Sequence, residues 1–199
     1  MAILSFNARA AGSGSGAVYK QADDTWANVR NAATGTTVVA GTNVVGQQSG
    51  ANYRIDRAFL SFDTSSLPNN ATVTNTTITA SWSVSNGDND GSDYLVAVQS
   101  TQASATTLAT SDYSKVSNTK LSNSLDMTGL SGTQTLTLNS TGIATISLTG
   151  NTLFAIREGH DIDNAAIADS TTNQVGLSSI KLNVTYTRPD DGTQGFFNV

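Results

Sequence analysis

The sequence predicts an all-β chain: an antiparallel β-sandwich, jelly-roll-like, with an extended N-terminal arm and a C-terminal tail. Three observations predict it. Apolar and polar residues alternate with a period of two in run after run, the pattern of strands with one buried and one wet face. Gly, Asn, Asp and Pro fall between those runs, where turns need them. No stretch carries the apolar stripe of an amphipathic helix.

Residues 1–16 are small and Gly/Ser-rich, which sets an arm at 1–19 ahead of a sandwich domain at 20–187. In "RAFLSFD", Ala58, Leu60 and Phe62 share one side and Phe59 takes the other. In "TITASWSVS", Ile78, Ala80, Trp82 and Val84 alternate with Thr79, Ser81 and Ser83, which puts Trp82 in the core. "DYLVAVQS", "TQTLTLN" and "NTLFAIRE" are further strands, and "SIKLNVTYT" closes the set with Ile180, Leu182, Val184 and Tyr186 in phase. β-branched side chains suit such half-buried pleated surfaces. Short helical turns are expected at "TSDYSK" and "STGIATI", where a hydroxyl can cap. The tail, 188–199, breaks at Pro189 and ends near Phe196 and Phe197. Ends of this kind fray in an isolated domain. Neighbouring subunits are therefore expected to hold them, with Phe196 and Phe197 as assembly contacts.

The 199 residues suit one domain of the larger all-β kind. There is no cysteine, which excludes disulfides, thiolate metal sites and thiol chemistry. The net charge is −5 and only 13% of residues are charged, about half the usual share. A mildly acidic surface repels phosphate backbones, so nucleic acid is not an expected partner. A membrane is not one either, because no apolar run approaches the ~18 residues of a span. The first residues lack the basic start and long apolar core of a secretory signal, so synthesis in a cytoplasm without export is expected.

Few residues suggest chemistry. In "NGDNDGSDY", residues Asn86, Asp88, Asp90 and Gly91 match the first half of a calcium loop, where alternating oxygens wrap a hard cation. The twelfth position is Ala97 instead of a bidentate Glu, and flanking helices are missing, so this is no EF-hand. A solvated turn is favoured over a calcium site without helices. A second acidic group, "REGHDIDN", contains Glu158, His160, Asp161, Asp163 and Asn164. Alternation would set Asp161 with Asp163 on one side, as a calcium or acid–base pair, and His160 with Glu158 on the other. A loop that caps its own backbone is the competing reading. His160 is the only histidine, which excludes a multi-histidine zinc site, and no G-x-S-x-G elbow accompanies it. Trp26, Tyr53, Tyr94 and Tyr113 are the aromatic candidates for stacking on sugar rings, against the plainer role of packing under loops.

Residues 53–84, with Arg57, Leu60, Phe62, Asp63, Ser66, Leu67, Pro68, Ala71 and Val73, resemble the hallmark segment of DNRLRE-type domains. A weaker likeness extends over roughly 20–187. The resemblance implies a jelly roll related in shape to carbohydrate-binding modules. In this sequence Leu60 and Phe62 would fill the core, Asp63 would cap the next turn, and Arg57 would pair with Asp63 or Glu158. Such domains occur in secreted cell-wall proteins and in phage genomes. The chain thus looks like a non-enzymatic structural or decorating protein on a phage capsid or tail. Its expected partners are other virion proteins or identical subunits, and its expected place is the virion surface. The alternative is an extracellular glycan-binding adhesion module. No cofactor is expected apart from calcium. A polysaccharide hydrolase would have to pair Asp161 with Glu158 or Asp163 in a cleft.

Overall fold

The computed structural model describes residues 1–40, 43–85, 90–168 and 171–189. In chain order the strands are β1 (Ala2–Asn7), β2 (Gly16–Ala22), β3 (Thr37–Val39), β4 (Asn43–Gln48), β5 (Tyr53–Asp63), β6 (Thr72–Ser85), β7 (Tyr94–Ser100), β8 (Val116–Lys120), β9 (Leu125–Asp126), β10 (Ser131–Thr137), β11 (Asn151–Glu158) and β12 (Thr172–Thr187). Short helices α1 (Trp26–Arg30), α2 (Ser140–Ile143) and α3 (Gly159–Asp163) lie between them, with a 3-10 turn at Thr110–Ser114. The chain is an all-β antiparallel sandwich. The two expected helical turns are present, α2 being capped by Asn139.

Eight of these strands form one continuous path, β10-β6-β12-β4-β5-β11-β7-β8, because β4 pairs with β12 on one side and β5 on the other. Gly46 makes that double pairing possible. Its φ is +131°, and a Cβ there would sit 2.0 Å from the Asn173 carbonyl oxygen. The main core lies between the layer of β1, β6, β10 and β12 and the layer of β5, β7 and β11. Phe6, Leu60, Phe62, Ile78, Trp82, Phe154 and Leu182 meet there. A second apolar cluster covers the far face of β5, β7 and β11. Trp26 and Val29 of α1 and Tyr113 of the 3-10 turn pack there on Ile55, Phe59 and Val98. β5 is therefore buried on both faces, with Leu60 and Phe59 on opposite sides as alternation set them.

Residues 1–19 are not an arm outside the domain. β1 pairs with β12 from Ala2↔Tyr186 to Asn7↔Lys181, and Phe6 joins the core. Ala17 and Val18 of β2 are fully buried. The odd–even alternation of "AILSFN" is the physical reason: Ala2, Leu4 and Phe6 face in while Ile3, Ser5 and Asn7 face out. β12 is also longer than its periodicity suggests. Ser179 adopts φ 52°, and a bulge between Ser178 and Lys181 switches the inward residues from Val175 and Leu177 to Ile180 and Leu182. The expected tail contacts Phe196 and Phe197 lie outside the described residues.

Candidate functional site

β11 ends in Arg157 and Glu158, which alternation sends to opposite faces. The next residues turn back as α3, with Glu158 as N-cap accepting from the His160 N–H and Asn164 closing the helix in the left-handed region. The helix returns one partner to each side: Asp161 to Arg157 and His160 to Glu158. Two buried polar clusters result, one on each face of the same strand.

The outer cluster is cationic. Asp161 Oδ2 accepts from Arg57 Nε at 2.8 Å and from Arg157 Nε at 2.7 Å. Its Oδ1 lies 2.7 Å from Nη2 of both arginines, and Arg30 Nε donates to its carbonyl oxygen at 2.7 Å. Arg57 also stacks 4.1 Å from the Tyr113 ring centre. Burial alone would raise the Asp161 carboxyl, but Arg57 and Arg157 outweigh it and hold the group well below the usual carboxylate range. This corrects the expected partners of Arg57. Glu158 lies on the opposite face, and Asp63 lies at the surface, where it accepts from Ser65 N at 3.2 Å, the turn cap the sequence suggested.

The inner cluster is acidic. Asp93, Glu158 and His160 are all buried, and each offers an atom within 4.8 Å of the others. Glu158 Oε1 lies 2.6 Å from His160 Nδ1 and accepts from Asn173 Nδ2 at 3.2 Å. Its Oε2 accepts from Gln47 Nε2, and Gln47 Oε1 in turn accepts from Trp26 Nε1 at 2.6 Å. Asn173 Nδ2 also donates to Asp93 Oδ1 at 2.5 Å. Asp90 completes the rim, with Oδ2 at 3.1 Å from His160 Nε2 and its N–H on Asp93 Oδ2 at 2.8 Å. Burial favours neutral imidazole, yet the bond and charge of Glu158, with Asp90 beyond it, raise His160 to about 9. Gly159 lets the Asp93 segment approach α3, since a Cβ there would lie 2.1 Å from the Ser92 carbonyl oxygen.

The two acidic motifs therefore meet, with His160 beside Glu158 as alternation set them, while the expected pair of Asp161 and Asp163 does not form. Asp161 and Asp163 share no partner among the described residues. Asp163 is at the surface, accepting from Tyr94 Oη at 2.7 Å and lying 3.6 Å from Lys120 Nζ. With both its oxygens on guanidinium groups, Asp161 has none left for calcium. Asp90 joins the inner cluster, while Asn86 and Asp88 lie outside the described residues. Among the proposed sugar platforms, Trp26 is 6% exposed and Tyr113 fully buried. Tyr94 carries Lys120 over its ring at 4.2 Å, and Tyr53 packs against the outer apolar cluster.

Asp93, Gln47 and Asn173 had no place in the sequence-based site, but they left a signal. Each occupies a core phase: Asp93 with Leu95 and Ala97, Gln47 with Val45, Asn173 with Val175 and Leu177. A polar residue in such a position needs internal partners. Compared with known proteins, the chain matches no protein-family model and no curated protein.

Proposed function

We propose that the chain is a non-enzymatic structural protein, a decorating subunit on the capsid or tail of a phage particle, built on a jelly roll. The observation that carries this reading is the fate of the carboxylates a hydrolytic site would need. Asp161 is saturated by arginines, Glu158 is buried against an imidazole and two amides, and Asp163 stands at the surface with Lys120. A glycosidase needs two carboxyl groups about 5–9.5 Å apart across a cleft that admits sugar. Neither candidate pairing has that character. What the sandwich offers instead is a wet face of hydroxyls and amides. Ser5, Asn183, Thr77 and Thr137 form one row across four strands. The likeness of residues 53–84 to DNRLRE-type domains supports a modular, surface-carried role by analogy.

Light scattering and particle uptake test the proposal together. A stable oligomer is expected, and particles should incorporate the full chain but not one ending at residue 187. A monomer at all concentrations, combined with normal uptake of the shortened chain, would overturn it. The glycan-binding alternative has less support, because the aromatic rings that would stack on sugars are buried or covered. Binding on an array of cell-wall and surface glycans, with or without calcium, would move the function there.

A further inference from the structure

We propose that Asp93, Glu158, His160 and Asn173 hold one divalent metal ion of the Zn²⁺ or Mn²⁺ type, buried between the two layers of the sandwich. The first support is proximity: two carboxylates and an imidazole, all buried, present atoms within 4.8 Å of one another. Arg30, Arg57 and Arg157 are turned to Asp161 across β11.

The second support is independent of the carboxylates. Asn173 is completely buried, and its Oδ1 has no hydrogen-bond partner among the described residues. A buried carbonyl oxygen without a partner is rare in a folded protein. The amide lies inside the cluster, its Nδ2 at 2.5 Å from Asp93 Oδ1 and 3.2 Å from Glu158 Oε1. The two ends of an asparagine amide are nearly equal in shape, and rotation about the Cβ–Cγ bond exchanges them. Turned over, Oδ1 would face the two carboxylate oxygens. Three converging oxygens repel one another without a cation and coordinate one when it is present. The orphaned oxygen is thus explained as a ligand held in reserve, with Nδ2 of the same amide donating to the carboxylates while the ion is away.

The surroundings favour the same reading. Gln47 cannot turn over in this way, because Trp26 Nε1 fixes its Oε1 and leaves its Nε2 to hold Glu158 Oε2. Such outer hydrogen bonds orient the ligands of metal centres. Asp93 also lines an open cleft of about 190 Å³ with Gly91, Tyr94, Ser124 and Asp126, which gives an ion a way in. One imidazole among two carboxylates and an amide carbonyl suits Zn²⁺ or Mn²⁺. An all-oxygen set would suit Ca²⁺.

The test uses the full chain after dialysis against EDTA, titrated with Mn²⁺, Zn²⁺ and Ca²⁺. Calorimetry gives stoichiometry, and electron paramagnetic resonance of the Mn²⁺ form reads nitrogen coupling from His160. One Mn²⁺ or Zn²⁺ per chain is expected, with nitrogen coupling and at least about tenfold weaker binding in Asp93→Asn and in Glu158→Gln. Circular dichroism establishes that each variant is folded, and Asp93→Asn, at the cleft, serves if Glu158→Gln is not. No binding of either ion at about 1 mM would overturn the site. So would binding unchanged in the folded variants, or a preference for Ca²⁺ without nitrogen coupling.

Discussion

Arg57 on β5 and Asp161 on α3, 104 residues apart, are joined by two charge-assisted hydrogen bonds of 2.8 and 2.7 Å inside the protein. Arg157 repeats the arrangement from β11, so a single carboxylate balances two buried guanidinium groups. Removing it strands both. Asp161→Ala is expected to lose about 3–5 kcal/mol of stability, more than any exposed charge deletion. Urea unfolding measures this, and a loss below about 1 kcal/mol would mean that the arginines find water or other partners.

The same carboxylate should shape acid stability. Its folded pKa is depressed, so its contribution is complete above the unfolded value of 3.8 and disappears as pH falls from there toward the folded value. The stability gap between wild type and Asp161→Asn should therefore stay constant from neutrality to about pH 4 and shrink only below it. A gap that already closes near pH 6 would show that Asp161 is not held ionised.

Trp26 and Trp82 are both nearly buried, at 6% and 3% exposure. Their fluorescence is expected to be blue-shifted, poorly quenched by iodide and indifferent to added sugars. Trp26→Phe would keep most of the packing but deprive the buried Gln47 Oε1 of its donor, at a cost of about 1–3 kcal/mol. Strong quenching in the native protein would contradict the packing of α1.

Gly46 joins the two layers where no side chain fits. Gly46→Ala would meet the Asn173 carbonyl oxygen at 2.0 Å in a backbone conformation that L-residues avoid, and should cost on the order of 3 kcal/mol or more. Hydrogen exchange should locate the damage at the β4–β12 pairing. Uniform protection there would mean that β4 can shift without penalty.

A chain beginning at residue 20 would lack β1 and most of β2, and with them Phe6, Ala17 and Val18. It is expected to be soluble poorly or not at all and to show no cooperative unfolding. A well-dispersed NMR spectrum from that shortened chain would restore the view of residues 1–19 as an arm.

Legibility in the sequence followed regularity. β6 and the second half of β12 were readable because Ile78–Val84 and Ile180–Tyr186 alternate without interruption and bury one face. The first half of β12 was hidden by the bulge at Ser178 and Ser179, which breaks the phase. α1 and α3 are five residues each, too short to establish a helical period. β1 was obscured by the Gly/Ser stretch that follows it, although "AILSFN" alternates. For the site, the motifs were visible but their partners were not. Asp90 and His160 could be singled out, yet only the pairing of β7 with β11 and of β12 with β4 brings Asp93, Glu158 and Asn173 together. Arg57 and Asp161 met because β5 and α3 face the same layer, and no local pattern encodes that.

The pairing of β1 with β12 also has a consequence in time. Ser5 and Asn183, 178 positions apart in the chain, are hydrogen-bonded at 2.7 Å. On a ribosome β1 emerges long before β12, the strand it pairs with, exists. Its apolar edge, Ala2, Leu4 and Phe6, must wait unpaired while the middle of the sandwich is made. Closing so long a loop is slow, and an unsatisfied strand edge invites pairing with another chain. The zipping of β1 onto β12 would then come late in folding. Crowded synthesis, where many copies expose that edge at once, is the condition under which this sandwich would be most prone to misassemble.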